Sequence, residues 1–183
     1  AEKCFRDAVR IFSKTCGEVN PLTARAQSRL ACLLVSQEKE ALGNLEEALR
    51  SSVGVDIFSV DLETVALLLV HLINTLQVQP QLLIKNAPMY ANWCQEAHAK
   101  LEKRGSLECV DGAVFLKAFG EFSALAGRHE EGRALVARAL ELITPTAESG
   151  DAHAQTFRKS CISLLEAISQ VAARTRLIQE REL

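Results

Sequence analysis

Within residues 113–146, small residues stand at fixed intervals among large apolar ones. The order is Leu116-x2-Phe119-Gly120-x2-Ser123, then Gly132-x3-Val136-x2-Ala139, with Pro145 behind them. Apolar residues at three- and four-residue steps form one face of a helix. A glycine inside a helix costs about 1 kcal/mol relative to alanine, so two at this spacing imply helices that cross too closely for a larger residue. Gly120, Gly132 and Ala139 then mark the close approaches, and Leu116, Phe119 and Val136 fill the space between them. The alternative for the glycines is a simple helix end.

The rest of the chain carries the same period. Alanine and leucine dominate, and only 4 prolines and 9 glycines interrupt 183 residues, so helix is expected throughout. A first helix is predicted over 1–15, with Phe5, Ala8, Val9 and Phe12 on one face and Cys16-Gly17 as its stop. Asn20-Pro21 supplies a turn and a proline suited to opening the next helix, which runs to about Ser36 on Ala26, Leu30, Leu33 and Leu34. A third is predicted over 40–51. Residues 53–60 read as a loop, and Asp61 opens an apolar helix reaching Gln77. Pro80 and Pro88 bracket an extra turn or short helix over 81–87, before a helix over 89–104 that stops at Gly105. Helices over 110–126 and 129–143 follow, separated by Gly127-Arg128 and ended by Thr144-Pro145-Thr146. The last helix spans 151–180.

The pattern over 113–146 resembles the tetratricopeptide repeat, with large, apolar and small positions in helix A and small, aromatic and small positions in helix B. Ala1-x3-Phe5-x2-Ala8 has the spacing of a helix B, and Ala41-x3-Leu45-x2-Ala48 repeats it. The link Cys16-Gly17-Glu18-Val19-Asn20-Pro21, followed by Ala24 and Leu30-Ala31, resembles the connector of the longer repeats of the kinesin light chain class. The resemblance covers roughly residues 1–52 and 113–146. It implies an all-α fold of antiparallel helix pairs stacked as a right-handed solenoid, about eight helices in a single domain over 1–183. Residues 1–52 are repeat-like, 53–109 form a divergent pair with an insertion, 110–146 are the clearest repeat, and 147–183 make a C-terminal capping helix. The first helix looks like the second half of a pair, and the chain reads as an excerpt of a longer one.

A stacked array of this kind offers a long groove rather than a deep reaction pocket. The resemblance implies a groove lined by Arg25, Ser28 and Arg29 from one helix A, His71 and Asn74 from the next, and Lys117 and Glu121 from the third. Arginine and asparagine there can hold a carboxylate or a peptide backbone. The expected role is a protein-interaction scaffold for an extended peptide or partner helix, in the cytoplasm or associated with the cytoskeleton. The alternatives are a stacking element of a larger cytoskeletal or ciliary-type assembly, on further repeats or another subunit, and a regulatory region attached to a catalytic domain elsewhere.

No enzyme motif stands out: His71, His98, His129 and His153 lie in different segments, and no phosphate-cradling or nucleophile motif occurs. No cofactor and no metal are expected. His71 reads as a groove or core histidine, and His129-Glu130-Glu131 as a helix start favoured by the positive end of the dipole. The 21 Lys and Arg nearly cancel 23 Asp and Glu, and their interspersion gives no case for nucleic acid. The longest apolar run, Val65 to Val70, is far short of the roughly 18 residues that span a bilayer, so no membrane span is expected. Six cysteines at wide, irregular spacings read as structural, small apolar thiols in a reducing compartment. Tyr90 and Trp93, with Met89, read as packing against the insertion, and the charged run 174–182 as a solvated helix end.

Overall fold

The computed structural model describes residues 1–18, 20–36, 43, 45–48, 50, 62–78 and 80–179. Among the described residues all regular structure is helical and no strand occurs. In chain order the helices are α1 (Glu2–Cys16), α2 (Pro21–Ser36), α3 (Leu62–Val78), α4 (Pro80–Lys103), α5 (Val110–Leu125), α6 (His129–Glu148) and α7 (Ala152–Gln179). Gly43, residues 45–48 and Arg50 are helical as well. The loop predicted over 53–60, the helix start at Asp61 and the chain end beyond residue 179 lie outside the described residues. Packing divides the chain into two compact units, Ala1–Ser106 and Leu107–Leu183, each with its own core.

In the first unit, α1 stops where the sequence predicts. Gly17 takes φ 94°, a left-handed value open to glycine without a Cβ penalty. The Asn20 side chain accepts a hydrogen bond from the Leu22 N–H at 2.9 Å, and the Thr23 hydroxyl donates to the Gly17 carbonyl at 2.8 Å. Pro21 therefore enters α2 at a position whose N–H would have had no helical partner. α2 buries Ala24, Ala26, Leu30, Ala31 and Leu34, and the apolar α3 buries Leu68, Leu69, Leu72, Ile73 and Leu76 among others. Leu45 and Ala48, at the expected helical spacing, are fully buried too.

Pro88 does not divide α4. One helix of 24 residues runs through it from Pro80, although an interior proline removes a backbone hydrogen bond at a cost of about 3 kcal/mol. The compensation lies across the proline. Asn86 and Tyr90, one turn apart on either side of it, are joined by an Nδ2–H···Oη bond of 3.1 Å. Tyr90 is fully buried and donates its hydroxyl proton to Glu46, while Asn86 reaches the same carboxylate at 3.4 Å. Burial of this tyrosine outweighs the local preference to break.

In the second unit, the glycines of α5 and α6 lie at a crossing. A Cβ on Gly120 would stand 2.6 Å from Val136 Cγ2 and 2.7 Å from the Gly132 carbonyl oxygen, and one on Gly132 would stand 2.6 Å from the Gly120 carbonyl oxygen. These distances exclude a side chain and rule out the simple helix-end alternative. Leu116, Phe119, Val136 and Ala139 are buried around the crossing as the spacing predicts. Gly132 faces Gly120 and Ala124 near the α5–α6 turn, while Arg138 reaches back to Glu108 at 2.9 Å, so the two helices run antiparallel.

α6 also outlasts its predicted end. It continues through Pro145 to Glu148, because Ile143 and Ala147, one turn apart, are both buried while Pro145 points outward. The Ser149 N–H closes onto the Pro145 carbonyl at 3.1 Å. Asp151 caps the start of α7, its carboxylate accepting from the Ala154 N–H at 2.7 Å. It buries Ala154, Cys161 and Ile168, a stripe repeating every seven residues, and the Gln155 amide donates to the Ala147 carbonyl at 3.3 Å.

Candidate interaction surfaces

Arg25 and Arg29 stand one turn apart on α2, and both side chains are exposed. Ser28 is not a surface residue. It is fully buried and its hydroxyl donates to the Ala24 carbonyl at 2.8 Å, so it belongs to the core-facing side of α2 and cannot line a groove with its neighbours. A serine between two arginines reads as polar, but its place on the helix carries it inward with Ala24 and Ala31, and the local bond satisfies it there.

On α3, Asn74 is exposed and His71 is half-buried. Burial holds the His71 imidazole below its ordinary pKa of 6.5, which favours the neutral ring at pH 7. Lys117 and Glu121 belong to the second unit. They face each other along α5 at 3.4 Å, each about a fifth exposed. Arg25, Arg29, His71 and Asn74 thus share the first unit, and Lys117 and Glu121 form a separate ion pair in the second.

Tyr90 is buried with its ring centroid 5.8 Å from that of Trp93, while Met89 is exposed. Burial, with the Glu46 carboxylate beside it, pushes its phenol up to about 12. Only part of the cysteine reading holds. All six thiols are free, but Cys94 and Cys161 alone are buried, Cys32 is intermediate, and Cys4, Cys16 and Cys109 are exposed. Burial raises the Cys161 thiol to about 11 against the opposing pull of the Lys117 ammonium. Cys109 plays a role that spacing did not suggest: its sulfur accepts the Gly112 N–H at 3.4 Å and caps α5.

The surface least legible in the sequence lies between α6 and α7. A groove of about 530 Å³ runs between them, lined by Glu130, Arg133, Ala134 and Ala137 of α6 and Leu165, Glu166 and Ser169 of α7. It adjoins a hollow of about 220 Å³ between His129, Ile168, Ser169 and Ala172. His129 Nδ1 is buried there with no hydrogen-bond partner among the described residues. Arg133 lies 3.6 Å from Glu130, but both are more than 60% exposed, so the pair is weak. The signal that could have revealed the groove is the run of alanines, Ala134 and Ala137 on one helix and Ala172 and Ala173 on the other, whose short side chains leave the space open.

α1 offers a third surface. Its apolar residues, Phe5, Ala8, Val9 and Phe12, share one side of the helix, yet none of its residues is fully buried. Ile11 stays 50% exposed. Among the described residues, no group of three or more His, Cys, Asp or Glu is placed to hold a metal ion, and no helix is long and apolar enough to cross a membrane. No protein-family model matches the chain, and no curated protein matches it.

Proposed function

We propose that the chain is a protein-interaction scaffold of tetratricopeptide type, binding an extended peptide or partner helix along its helix surfaces. The observation that carries this reading is the glycine-on-glycine crossing of α5 and α6. Such a close crossing suits the helix pair of a tetratricopeptide-type repeat, and in that architecture pairs stack in series and present successive helices side by side as an extended surface. Arg25 and Arg29, exposed one turn apart on α2, supply two forked donors for the carboxylates of an acidic segment. Asn74 adds a polar contact on α3. This is a binding surface, with no reaction assigned to it.

Titration of the intact chain with labelled synthetic peptides rich in Asp and Glu tests the reading. Reversing both charges, Arg25→Glu with Arg29→Glu, should weaken acidic-peptide binding by about tenfold or more, since two charge-assisted contacts are lost and repulsion replaces them. The far-ultraviolet helical signal should not change. Equal affinity for the double variant would remove these arginines from the site.

A second reading has its own support in α1. An amphipathic helix with no fully buried residue and an exposed Ile11 suits stacking on a neighbouring element. On this reading the chain is one layer of a larger assembly. Sedimentation of the chain over a wide concentration range separates the two: self-association relieved by Ile11→Glu favours stacking, and a monomer at all concentrations favours the peptide-binding reading.

A further inference from the structure

We infer that the outward side of α1 is a second docking surface, and that its occupant is an acidic helix of a partner protein. This goes beyond the reading of Arg25 and Arg29, which lie on α2, and is tested apart from it. Cys4 and Ile11, seven residues apart, fall on one line of the helix, and both are exposed. Lys3 and Arg10 stand immediately before them, and Asp7 and Lys14 follow each by three residues. A seven-residue step returns to the same side of a helix after two turns, about 10 Å along its axis. An apolar seam edged mainly by bases is thereby set on the side away from Phe5 and Phe12, at the spacing that a second helix reads.

The charge decides what that helix carries. α1 holds Lys3, Arg6, Arg10 and Lys14 against Glu2 and Asp7, and α2, which packs on it, has Arg25 and Arg29 and no acidic residue. Both acids of α1 are engaged within the helix, Glu2 with Arg6 at 3.0 Å and Asp7 with Arg10 at 3.3 Å. These pairs are solvent-exposed and weak, so the guanidiniums stay open to a further carboxylate. Lys3 and Lys14 have no ion pair or hydrogen bond among the described residues. Carboxylates flanking an apolar anchor on the incoming helix therefore meet Lys3, Arg10 and Lys14. A bilayer is the poorer match, because an interfacial helix sinks its apolar face, and Phe5, Val9 and Phe12 are turned away from the seam.

The test is fluorescence anisotropy of the intact chain with a labelled helical peptide carrying Leu every seven residues between Glu, beside its Glu→Lys counterpart and a scramble of the same composition. The acidic helix should bind at least tenfold more tightly than the Lys form, more tightly than the scramble, and lose most of that affinity at high salt. Lys3→Glu with Lys14→Glu should weaken it about tenfold, and Ile11→Ala about fivefold, with the helical signal and the denaturation midpoint unchanged. Equal binding of the acidic and Lys peptides, or of the helix and its scramble, overturns the proposal, as does affinity indifferent to these substitutions. Self-association of the chain that Ile11→Ala relieves would give the seam to a second copy and overturn it too. So would uptake on phosphatidylserine vesicles without binding of the acidic helix. Arg25→Glu with Arg29→Glu tells the two sites apart: it should leave this helix bound, and loss of binding in that variant but not in Lys3→Glu with Lys14→Glu would assign the capture to α2.

Discussion

Two missing Cβ atoms, at Gly120 and Gly132, decide how closely α5 and α6 approach. Replacing Gly132 with alanine gains about 1 kcal/mol of helix propensity, but the new methyl carbon would lie 2.6 Å from a backbone carbonyl oxygen that cannot rotate away. Overpacking of this kind costs about 1–3 kcal/mol, so Gly132→Ala should lower stability in urea denaturation, and Gly120→Ala likewise. No loss in either variant would mean that the helices are free to separate. Tyr90 gives the second residue-scale prediction. It is the one tyrosine in the sequence, so phenolate absorbance reports its ionisation alone, and the midpoint should lie near 12. Because the folded pKa is raised above the ordinary 10, the phenol's contribution is whole below about pH 10 and disappears as pH rises through about 12. Tyr90→Phe should remove that alkaline loss and cost about 1–3 kcal/mol at neutral pH, where Glu46 and Asn86 lose a partner. A midpoint near 10 would contradict the buried clasp. At this scale the glycines were legible because they break a local rule at two matched places. Ser28 was not, since its own residue type gives no sign of facing inward.

The largest departures from the sequence reading fall at two prolines, at the start of α4 and at the end of α6. Pro21 and Asp151 announced α2 and α7 through chemistry that belongs to the first turn alone. Pro88 reads as a boundary before a helix and Pro145 as a stop because a proline's local cost is visible in sequence, whereas the burial of Tyr90 and Ala147 beyond them is a property of packing. Pro145 is exposed, so Pro145→Ala should restore a hydrogen bond and helix propensity without disturbing the core. Allowing for the greater freedom of the unfolded chain, the expected gain is about 1–2 kcal/mol, read as a higher denaturation midpoint. A loss would mean that the ring itself packs. Of the groove between α6 and α7 the sequence shows only the alanines that leave it open. His129-Glu130-Glu131 reads as a helix start on its own sequence, and only the placement of Leu165, Glu166 and Ser169 beside it makes a surface.

Across the whole molecule, all-helical structure followed from periodicity, while the division into two units did not follow from length. Each unit carries one buried thiol, Cys94 in the first and Cys161 in the second, and both contrast with exposed Cys4, Cys16 and Cys109. A maleimide reagent should label the three exposed thiols rapidly, Cys32 more slowly, and Cys94 and Cys161 only on unfolding; early labelling of either buried thiol would show that its unit lacks the core described. The scaffold reading itself concerns what the surfaces hold. Its most direct test is selection of displayed random peptides on the immobilised, folded chain, followed by calorimetric titration of the enriched sequences. The expected result is enrichment of acidic segments whose affinity falls about tenfold with Arg25→Glu and Arg29→Glu. No enrichment above background on a chain with native denaturation behaviour would contradict it.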